Sequence, residues 1–217
     1  MGLKLATRLQ GLFFKDASAG LGLLSRFSLP LVGGGRLVPP LAPTRFLDLP
    51  EVKAEGRTKG AGGPKVAFYS GCGINYLMPD VGLKSLAAIR KAGAEVFVPQ
   101  GQVCCGMPAY AMGDIPTARS MALKNIELFE GIDADFIVTS CATCGHGLKH
   151  LMADLFEDTP ELKARAEKVA AKTRDISELL IKELGYKNKG ASGAKRVVTY
   201  HDPCHLGRAQ GLREEPR

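Results

Sequence analysis

A short buried strand that runs into a turn and a cysteine recurs along this chain, and the recurrence limits the folds it can adopt. The apolar run 65–70 leads into Cys72, and the run 136–140 leads into Cys141. A further strand is predicted at 95–98, where Pro99 ends it, and a vicinal cysteine pair follows. Such short apolar runs, bounded by Gly, Pro or Asp, are typical of buried strands rather than of helices.

Helical patterns separate these strands. Asp80 and Asp114 are expected to cap two of the helices, since a carboxylate accepts hydrogen bonds from free N–H groups. The alternation of strand and helix predicts an α/β fold, in which a parallel sheet is flanked by helices. The predicted helices run from Asp80 to Gly93, from Asp114 to Gly131, from Cys144 to Phe156, and over residues 160–184.

Composition divides the chain into predicted parts. Residues 1–65 carry 10 Lys and Arg against 4 Asp and Glu, whereas the remaining residues carry 19 basic and 18 acidic side chains. Because the predicted folded part is nearly neutral, a nucleic-acid-binding face is not expected. The parts are an extended basic arm or linker at 1–64, a complete unit at 65–159, a helical linker at 160–195, and the truncated start of a second unit at 196–217.

The beginning of the arm has the pattern of a short basic amphipathic helix, with Leu5, Leu9 and Leu12 beside Lys4 and Arg8. Such a helix is expected to pack on a neighbouring domain or subunit, or to lie on a membrane surface. No apolar run reaches the roughly 18 residues that a spanning helix needs. The chain is therefore predicted to be cytoplasmic, with peripheral attachment at the inner face of the membrane as an extension of that prediction.

Five of the six cysteines follow the ends of predicted strands, with the spacing C-x31-CC-x35-C-x2-C. The carboxyl ends of parallel strands meet at one edge of a sheet, so these cysteines are expected to converge there. A C-x-x-C alone would leave zinc binding and thiol redox chemistry open. A vicinal pair and a C-x-x-C at one sheet edge favour metal-thiolate chemistry in a reducing compartment.

These segments resemble the cysteine-rich CCG domain. That family includes one of the subunits of heterodisulfide reductase, the iron-sulfur subunits of glycolate and lactate oxidation, and one of the subunits of anaerobic glycerol-3-phosphate dehydrogenase. Its members usually carry two motifs, so the resemblance, which covers residues 65–217, implies one complete repeat and the start of a second. The matching segments are Ser70-Gly71-Cys72, Cys104-Cys105-Gly106-Met107-Pro108, Ser140-Cys141-Ala142-Thr143-Cys144 and Tyr200-His201-Asp202-Pro203-Cys204-His205.

The resemblance implies a 4Fe-4S cluster, noncubane as in heterodisulfide reductase. It also implies an electron-transfer subunit, or a fragment of one, that relays electrons from a flavoprotein dehydrogenase of a 2-hydroxy acid or glycerol phosphate towards quinone. A ferredoxin-like iron-sulfur subunit or domain is the expected second partner. No side chain is predicted to be catalytic. The implied ligands are Cys72, Cys104, Cys105, Cys141 and Cys144.

Two other functions stay open at this point. One is reduction of a disulfide substrate at the cluster, and the other is a zinc-stabilised scaffold that uses Cys141, Cys144 and two further cysteines. Cys204 is a spare thiol, a neighbour of the first cluster, or part of a second motif that this chain does not complete.

Residues around the cysteines carry further predictions. A helix that begins near Cys144 should point its free N–H groups at sulfur. Asp202 is expected to cap a following helix. Glycines beside the cysteines are expected to allow close approach of the backbone, and histidines near the motifs are expected to cap helices or form surface hydrogen bonds. These glycines are Gly71, Gly73, Gly106 and Gly145, and the histidines are His146, His150, His201 and His205.

Overall fold

The computed structural model of the chain describes residues 2–16, 22–25, 37–54, 62–187, 197 and 199–217. The described strands are β1 (Phe14–Asp16), β2 (Leu23–Ser25), β3 (Leu37–Val38), β4 (Lys65–Phe68), β5 (Glu95–Phe97), β6 (Phe136–Thr139) and β7 (Thr173–Asp175).

The helices of the amino-terminal half are α1 (Gly2–Phe13), α2 (Pro50–Ala54), α3 (Gly71–Tyr76), α4 (Pro79–Lys91), α5 (Met107–Ala111) and α6 (Ile115–Glu130). Those that follow are α7 (Ala142–His146), α8 (Met152–Asp154), α9 (Pro160–Lys172) and α10 (Ile176–Glu178). Single helical turns of 3-10 type at Phe46–Asp48 and of π type at Gly147–Leu151, Leu179–Glu183 and Cys204–Arg208 complete the described helices.

A parallel four-stranded sheet in the order β5-β4-β6-β7 confirms the predicted α/β class. Val66 of β4 lies opposite Val96 of β5 on one side and opposite Phe136 of β6 on the other. The chain leaves β4 towards one edge to form β5, then returns across β4 to form β6. The strand order therefore reverses between β4 and β6, and such a reversal leaves a crevice at the carboxyl ends of the two strands.

Helices cover both faces of this sheet. Successive residues of β4 belong to opposite layers of the core, because side chains alternate along a strand. Ala67 and Tyr69 pack with residues of α6 and α9, whereas Val66 and Phe68 pack with residues of α4 and with Phe46. A central strand covered on both sides must be apolar throughout, which explains the uninterrupted run from which β4 was predicted.

The linker predicted as helical over 160–184 differs from the structure. Helix α9 ends at Lys172, β7 follows at once, and helical structure resumes at Ile176. Strand β7 pairs with β6 in parallel, with Thr173 opposite Ile137. Thr173 is fully buried, so this segment extends the sheet rather than only linking two units. The predicted domain boundaries themselves remain predictions.

The strand predicted at 196–200 is not found. Residues 196 and 198 lie outside the described residues, and Val197, Thr199 and Tyr200 have no strand structure. The prediction rested on an apolar and β-branched run, but Val197 and Tyr200 are exposed, so no buried sheet position holds this run in the described structure.

The predicted arm contains more regular structure than its composition indicated. Helix α1 confirms the predicted short helix, and β1, β2 and β3 form a small antiparallel sheet. Phe46 and Val52 are almost fully buried against the main sheet. The apolar segment around them is thus part of the core rather than of an extended linker.

Candidate metal centre

The crevice between β4 and β6 collects the five predicted cysteines. Cys72 lies on α3 directly after β4, and Cys141 follows β6 at the start of α7. The pair Cys104-Cys105 lies in the loop after β5, and Cys144 lies in the first turn of α7. The switch in strand order places these loops side by side, as the spacing of the cysteines predicts.

The five cysteines lie close together at this edge of the sheet. Cys105 and Cys144 are buried in one core cluster, Cys104 and Cys141 pack against that cluster, and Cys72 lines a cleft together with Cys104. The thiol of Cys144 shifts the pKa of Cys141, and the thiols of Cys72 and Cys105 shift the pKa of Cys104, so neighbouring sulfurs influence one another's ionisation. The structure therefore brings together all five residues that the resemblance implies as ligands, while Cys204 lies outside this group. Their role as ligands remains a prediction.

Two of the five sulfurs are placed to carry negative charge. The thiol of Cys144 and then the backbone N–H groups of Cys144 and Thr143 lower the pKa of Cys141 to about 6. Hydrogen bonds from Cys105 and Cys72, and then from the N–H group of Gly106, hold the pKa of Cys104 well below that of a free thiol. Free N–H groups at a helix start stabilise a thiolate, as predicted for this helix.

The other three thiols hold their protons more tightly. Donation to Cys104 is the main cause that raises the pKa of Cys72 and of Cys105. The neighbouring sulfurs of Cys105 and Cys141, together with burial, raise the pKa of Cys144 far above the usual thiol range. Metal binding displaces thiol protons, so these three thiols would have to lose their protons in order to act as ligands.

Access to this group of sulfurs is uneven. Cys105 and Cys144 are 2% and 3% exposed, Cys104 and Cys141 are half-buried, and Cys72 is exposed. A cleft of about 280 Å³ opens beside the sulfurs of Cys72 and Cys104. One side of the group thus faces solvent while the other side faces the core.

Two glycines lie so close to the cysteines that a side chain in their place would collide with them. The space beside the sulfurs is therefore kept free. Gly71 has φ +61°, and a Cβ atom at this position would lie 2.6 Å from Sγ of Cys144. A Cβ at Gly147 would lie 3.0 Å from Cβ of Cys105. The close approach predicted for Gly71 is confirmed, whereas a Cβ at Gly73 would contact nothing within 4 Å, so that prediction was wrong.

The donor set suits an iron-sulfur cluster. All five side chains are thiols, the ligands that hold such clusters. Among the described residues, no group of three or more Cys, His, Asp or Glu side chains is arranged to hold a metal ion.

Three polar side chains that the sequence analysis missed hold the loop that carries Cys104. The hydroxyl of Tyr69 donates to the carbonyl of Val103 at 2.7 Å. Gln102 accepts from the N–H of Ser70 at 2.9 Å and donates to the carbonyl of Phe68 at 2.8 Å. These bonds tie the end of β4 to the loop after β5, so two of the cysteine-bearing segments are held in register.

Asn125 of α6 is the third of these side chains, and it is fully buried. Its Nδ2 donates to the carbonyl of Cys104 at 3.0 Å, and its Oδ1 accepts from the N–H of Val103 at 3.2 Å. A sequence signal for it exists, since an asparagine interrupts the buried stripe of α6 that contains Ala122, Ile126 and Phe129.

Asp175 is the last residue of β7, at the same edge of the sheet, and was also missed. Burial raises the pKa of this carboxyl group, which accepts from the N–H and hydroxyl groups of Ser177. Its negative charge opposes ionisation of the Cys141 thiol. The residue escaped detection because its segment was predicted to be helical.

Three of the four histidines near the motifs lie ring beside ring in tilted pairs. The ring centroid of His146 lies 5.2 Å from that of His150 and 5.1 Å from that of His205. Within the described structure, Nδ1 of His146 and Nδ1 of His205 are buried without a hydrogen-bond partner. The hydrogen bonds expected of these two imidazoles are thus absent at those atoms, and burial lowers the pKa of His146.

The segment that follows residue 200 packs against α7. Gln210 donates to the carbonyl of Ala142 at 3.0 Å, and Leu206 is buried. Asp202 does not cap the turn Cys204–Arg208 as predicted, because Pro203 occupies the capping position and Arg217 binds the Asp202 carboxylate.

Comparison with known proteins agrees with this geometry. The sequence profile of the cysteine-rich CCG domain matches residues 66–149. These residues contain all five sulfurs of the crevice, so the part of the chain that holds the sulfurs is similar to the CCG cysteine-rich domain.

Relatives extend the similarity beyond that domain. The chain is 40% identical to one of the subunits of the fumarate reductase (CoM/CoB) of Methanothermobacter marburgensis. The 156 aligned residues cover 71% of this chain and 28% of the relative. It is 37% identical over 155 residues to lactate utilization protein A of Bacillus cytotoxicus, and the alignment covers 70% of this chain and 62% of that protein. It is 35% identical over 153 residues to an iron-sulfur protein of Methanocaldococcus jannaschii, and the alignment covers 70% of this chain and 28% of that protein. The chain is thus related to iron-sulfur proteins and to an oxidoreductase subunit, and it spans less than two thirds of each relative.

Proposed function

We propose that this chain is an iron-sulfur electron-transfer subunit, or part of one, in an oxidoreductase complex. One observation carries the proposal: in the crevice between β4 and β6, four of the cysteines belong to or pack against one core cluster, and Cys72 lines a cleft with one of them, Cys104. The proposed ligands are Cys72, Cys104, Cys105, Cys141 and Cys144. A bound 4Fe-4S cluster, noncubane in the family's manner, supplies one-electron redox chemistry.

The chain's own residues would bind and tune that group. The N–H groups of Thr143 and Cys144 already favour the thiolate of Cys141, and the N–H of Gly106 favours that of Cys104. Hydrogen bonds to cluster sulfurs raise the reduction potential. The buried side at Cys105 excludes water, whereas the exposed side at Cys72 leaves an approach for an electron-transfer partner.

The partners proposed are a flavoprotein dehydrogenase of a 2-hydroxy acid or glycerol phosphate, as donor, and a ferredoxin-like iron-sulfur subunit or domain, with quinone as the final acceptor. The relationship to lactate utilization protein A supports this class of donor. The test is stopped-flow reduction of the reconstituted chain by a reduced flavoprotein under anaerobic conditions. Bleaching of the cluster's visible absorption is expected, and an unchanged spectrum in the presence of active flavoprotein would oppose the relay.

Disulfide reduction is a second candidate, favoured by the cleft of about 280 Å³ beside the sulfurs of Cys72 and Cys104. This cleft is the place where a small disulfide would meet the exposed side of the site. Anaerobic assay of the isolated chain with small disulfides, with excess reduced viologen as the electron donor, separates the two functions. Turnover would defeat a purely relaying role, whereas the relay predicts no thiol product above the rate without protein.

We further propose a cytoplasmic location with peripheral attachment to the membrane through α1. No helix in the described part of the chain has the length and apolar character that membrane crossing requires. Helix α1 exposes Leu5, Leu9 and Leu12, whose spacing places them on one face. A basic helix with such a face binds the surface of an anionic bilayer.

A double Leu5→Asp, Leu12→Asp variant tests this attachment. Each exposed leucine is expected to contribute about 1.5 kcal/mol on burial in lipid, so the double change should weaken vesicle binding by at least about 100-fold. Co-sedimentation with vesicles of mixed zwitterionic and anionic lipid is the measurement. Met112→Asp is the control, because Met112 is exposed on the cysteine-rich domain. Equal binding by all three proteins, or none by the wild type, would contradict the attachment.

A further inference from the structure

The loop that presents Cys104 and Cys105 has almost no regular structure of its own. It is packed between two helices: a Cβ at Gly106 would lie 3.2 Å from the carbonyl oxygen of Ala118 on α6, and a Cβ at Gly147 would lie 3.3 Å from Sγ of Cys105. Backbone N–H and carbonyl groups in such a buried loop need partners from elsewhere. The position of the sulfurs therefore depends on which side chains supply those partners.

Asn125 supplies most of them. Besides its bonds to Cys104 and to the N–H of Val103, its Nδ2 lies 3.4 Å from the carbonyl of Val103. One amide group thus binds both sides of the Val103 peptide unit and the carbonyl next to the vicinal pair. The hydroxyl of Tyr69 adds a further bond to the Val103 carbonyl from the opposite side.

An aliphatic side chain of similar size cannot do this. Asn125 is fully buried on a stripe of α6 that is otherwise apolar, so burial alone would favour an apolar side chain over an amide. A buried amide is unfavourable unless its donors and acceptor are all satisfied, and here they are satisfied by the cysteine-bearing loop. The residue's partners, rather than its contribution to the core, explain its presence.

We propose that Asn125 is a positioning residue that fixes the Cys104-Cys105 pair against α6 and so sets where these two sulfurs meet the rest of the group. The part of this inference that concerns a cluster rests on the proposed function. The part that concerns the loop does not, because it can be measured on the protein without metal.

The test compares Asn125→Leu with Leu86→Ala. Leu86 lies in the core layer on the opposite face of the sheet and is 1% exposed, so its truncation destabilises the fold without touching the loop. In the metal-free proteins, hydrogen exchange of the Val103 amide and alkylation of Cys105 are followed by mass spectrometry under conditions of equal global stability. Both rates should rise at least about tenfold in Asn125→Leu and stay at the wild-type level in Leu86→Ala, since a lost buried partner changes local equilibria by that order.

The reconstituted proteins give the second readout. Asn125→Leu should show changed electron paramagnetic resonance g values and should lose iron to a chelator at least about tenfold faster than Leu86→Ala. Identical exchange, alkylation and spectra in the two variants would overturn the proposal. A wild type that binds no iron would refute the proposed function alone, because the metal-free measurements would still decide the role of Asn125.

A second variant covers failure of Asn125→Leu to fold. Asn125→Asp keeps the acceptor for the Val103 N–H but removes the donors to the Val103 and Cys104 carbonyls. It should keep the exchange of the Val103 amide within about threefold of wild type and still raise the alkylation rate of Cys105 by about tenfold. An alkylation rate at the wild-type level in this variant would equally overturn the proposal.

Discussion

Replacement of Cys144 by serine is expected to abolish iron-sulfur binding. Cys144 lies in the same core cluster as Cys105, Cys141 packs against that cluster, and Cys144 is only 3% exposed. A serine hydroxyl is a poor ligand for such a cluster, which is held by thiolates. Iron content after anaerobic reconstitution should fall from about four atoms per chain to less than about one.

The matched control is Cys204→Ser. Cys204 is exposed and lies outside the core cluster that holds the buried cysteines, so this variant should keep the iron content and visible spectrum of the wild type. Iron and acid-labile sulfide are quantified in parallel on the three proteins. Retention of iron by Cys144→Ser, or its loss from Cys204→Ser, would mean that the sulfurs in the crevice are not the binding site.

Gly71→Ala is expected to have the second largest effect, on both stability and metal binding. The φ angle of +61° is unfavourable for alanine, and the new Cβ would lie 2.6 Å from Sγ of Cys144. The backbone strain should cost about 1 kcal/mol, and the forced shift of a packed sulfur should add about 2 kcal/mol. The free energy of unfolding of the metal-free protein should therefore fall by about 3 kcal/mol, as measured by urea denaturation.

Gly185→Ala isolates the contact with sulfur from the backbone strain. Gly185 has φ +60°, and a Cβ there would meet nothing within 4 Å. This control should lose only about 1 kcal/mol and should bind iron as the wild type does. Equal losses of stability in the two variants, with iron retained in both, would show that a side chain at position 71 does not disturb Cys144.

The sheet was predictable where burial dominates the sequence. Strands β4 and β6 lie between two helical layers, so they must be apolar throughout and stand out as short runs. Strand β7 was not predictable, because Thr-Arg-Asp at 173–175 has no apolar run and follows a good helical pattern. Its strand structure comes from pairing with β6, and its threonine is buried by that pairing alone.

The residue that caps a helix also depends on the surrounding backbone and not only on the local sequence. Asp114 caps α6 as predicted, with its side chain accepting from the N–H of Thr117. Asp80 lies instead in the first turn of α4, where Met78 is the capping residue and Pro79 the first helical residue. Both carboxylates favour a helix start, but only the local backbone decides which residue caps it.

The convergence of the cysteines was predictable from the sequence, whereas the side chains that hydrogen-bond to the cysteine-bearing loop were not. The carboxyl ends of parallel strands meet at one edge of a sheet whatever side chains the strands carry. The positions of Cys72, Cys141 and the vicinal pair directly after predicted strands therefore indicated that they would meet. Asn125 and Tyr69 act through hydrogen bonds to a loop far away in sequence, 22 and 34 residues respectively from Val103. Such contacts depend on the packed arrangement of elements, which no local pattern encodes.

Anaerobic purification of the wild-type chain, followed by quantification of iron, acid-labile sulfide and zinc, tests the central claim most directly. Five thiols gathered in one crevice predict about four iron and four sulfide per chain and a brown protein with a paramagnetic state, as for a 4Fe-4S cluster. About one zinc per chain, with no sulfide and no colour even after reconstitution with iron and sulfide, would contradict it.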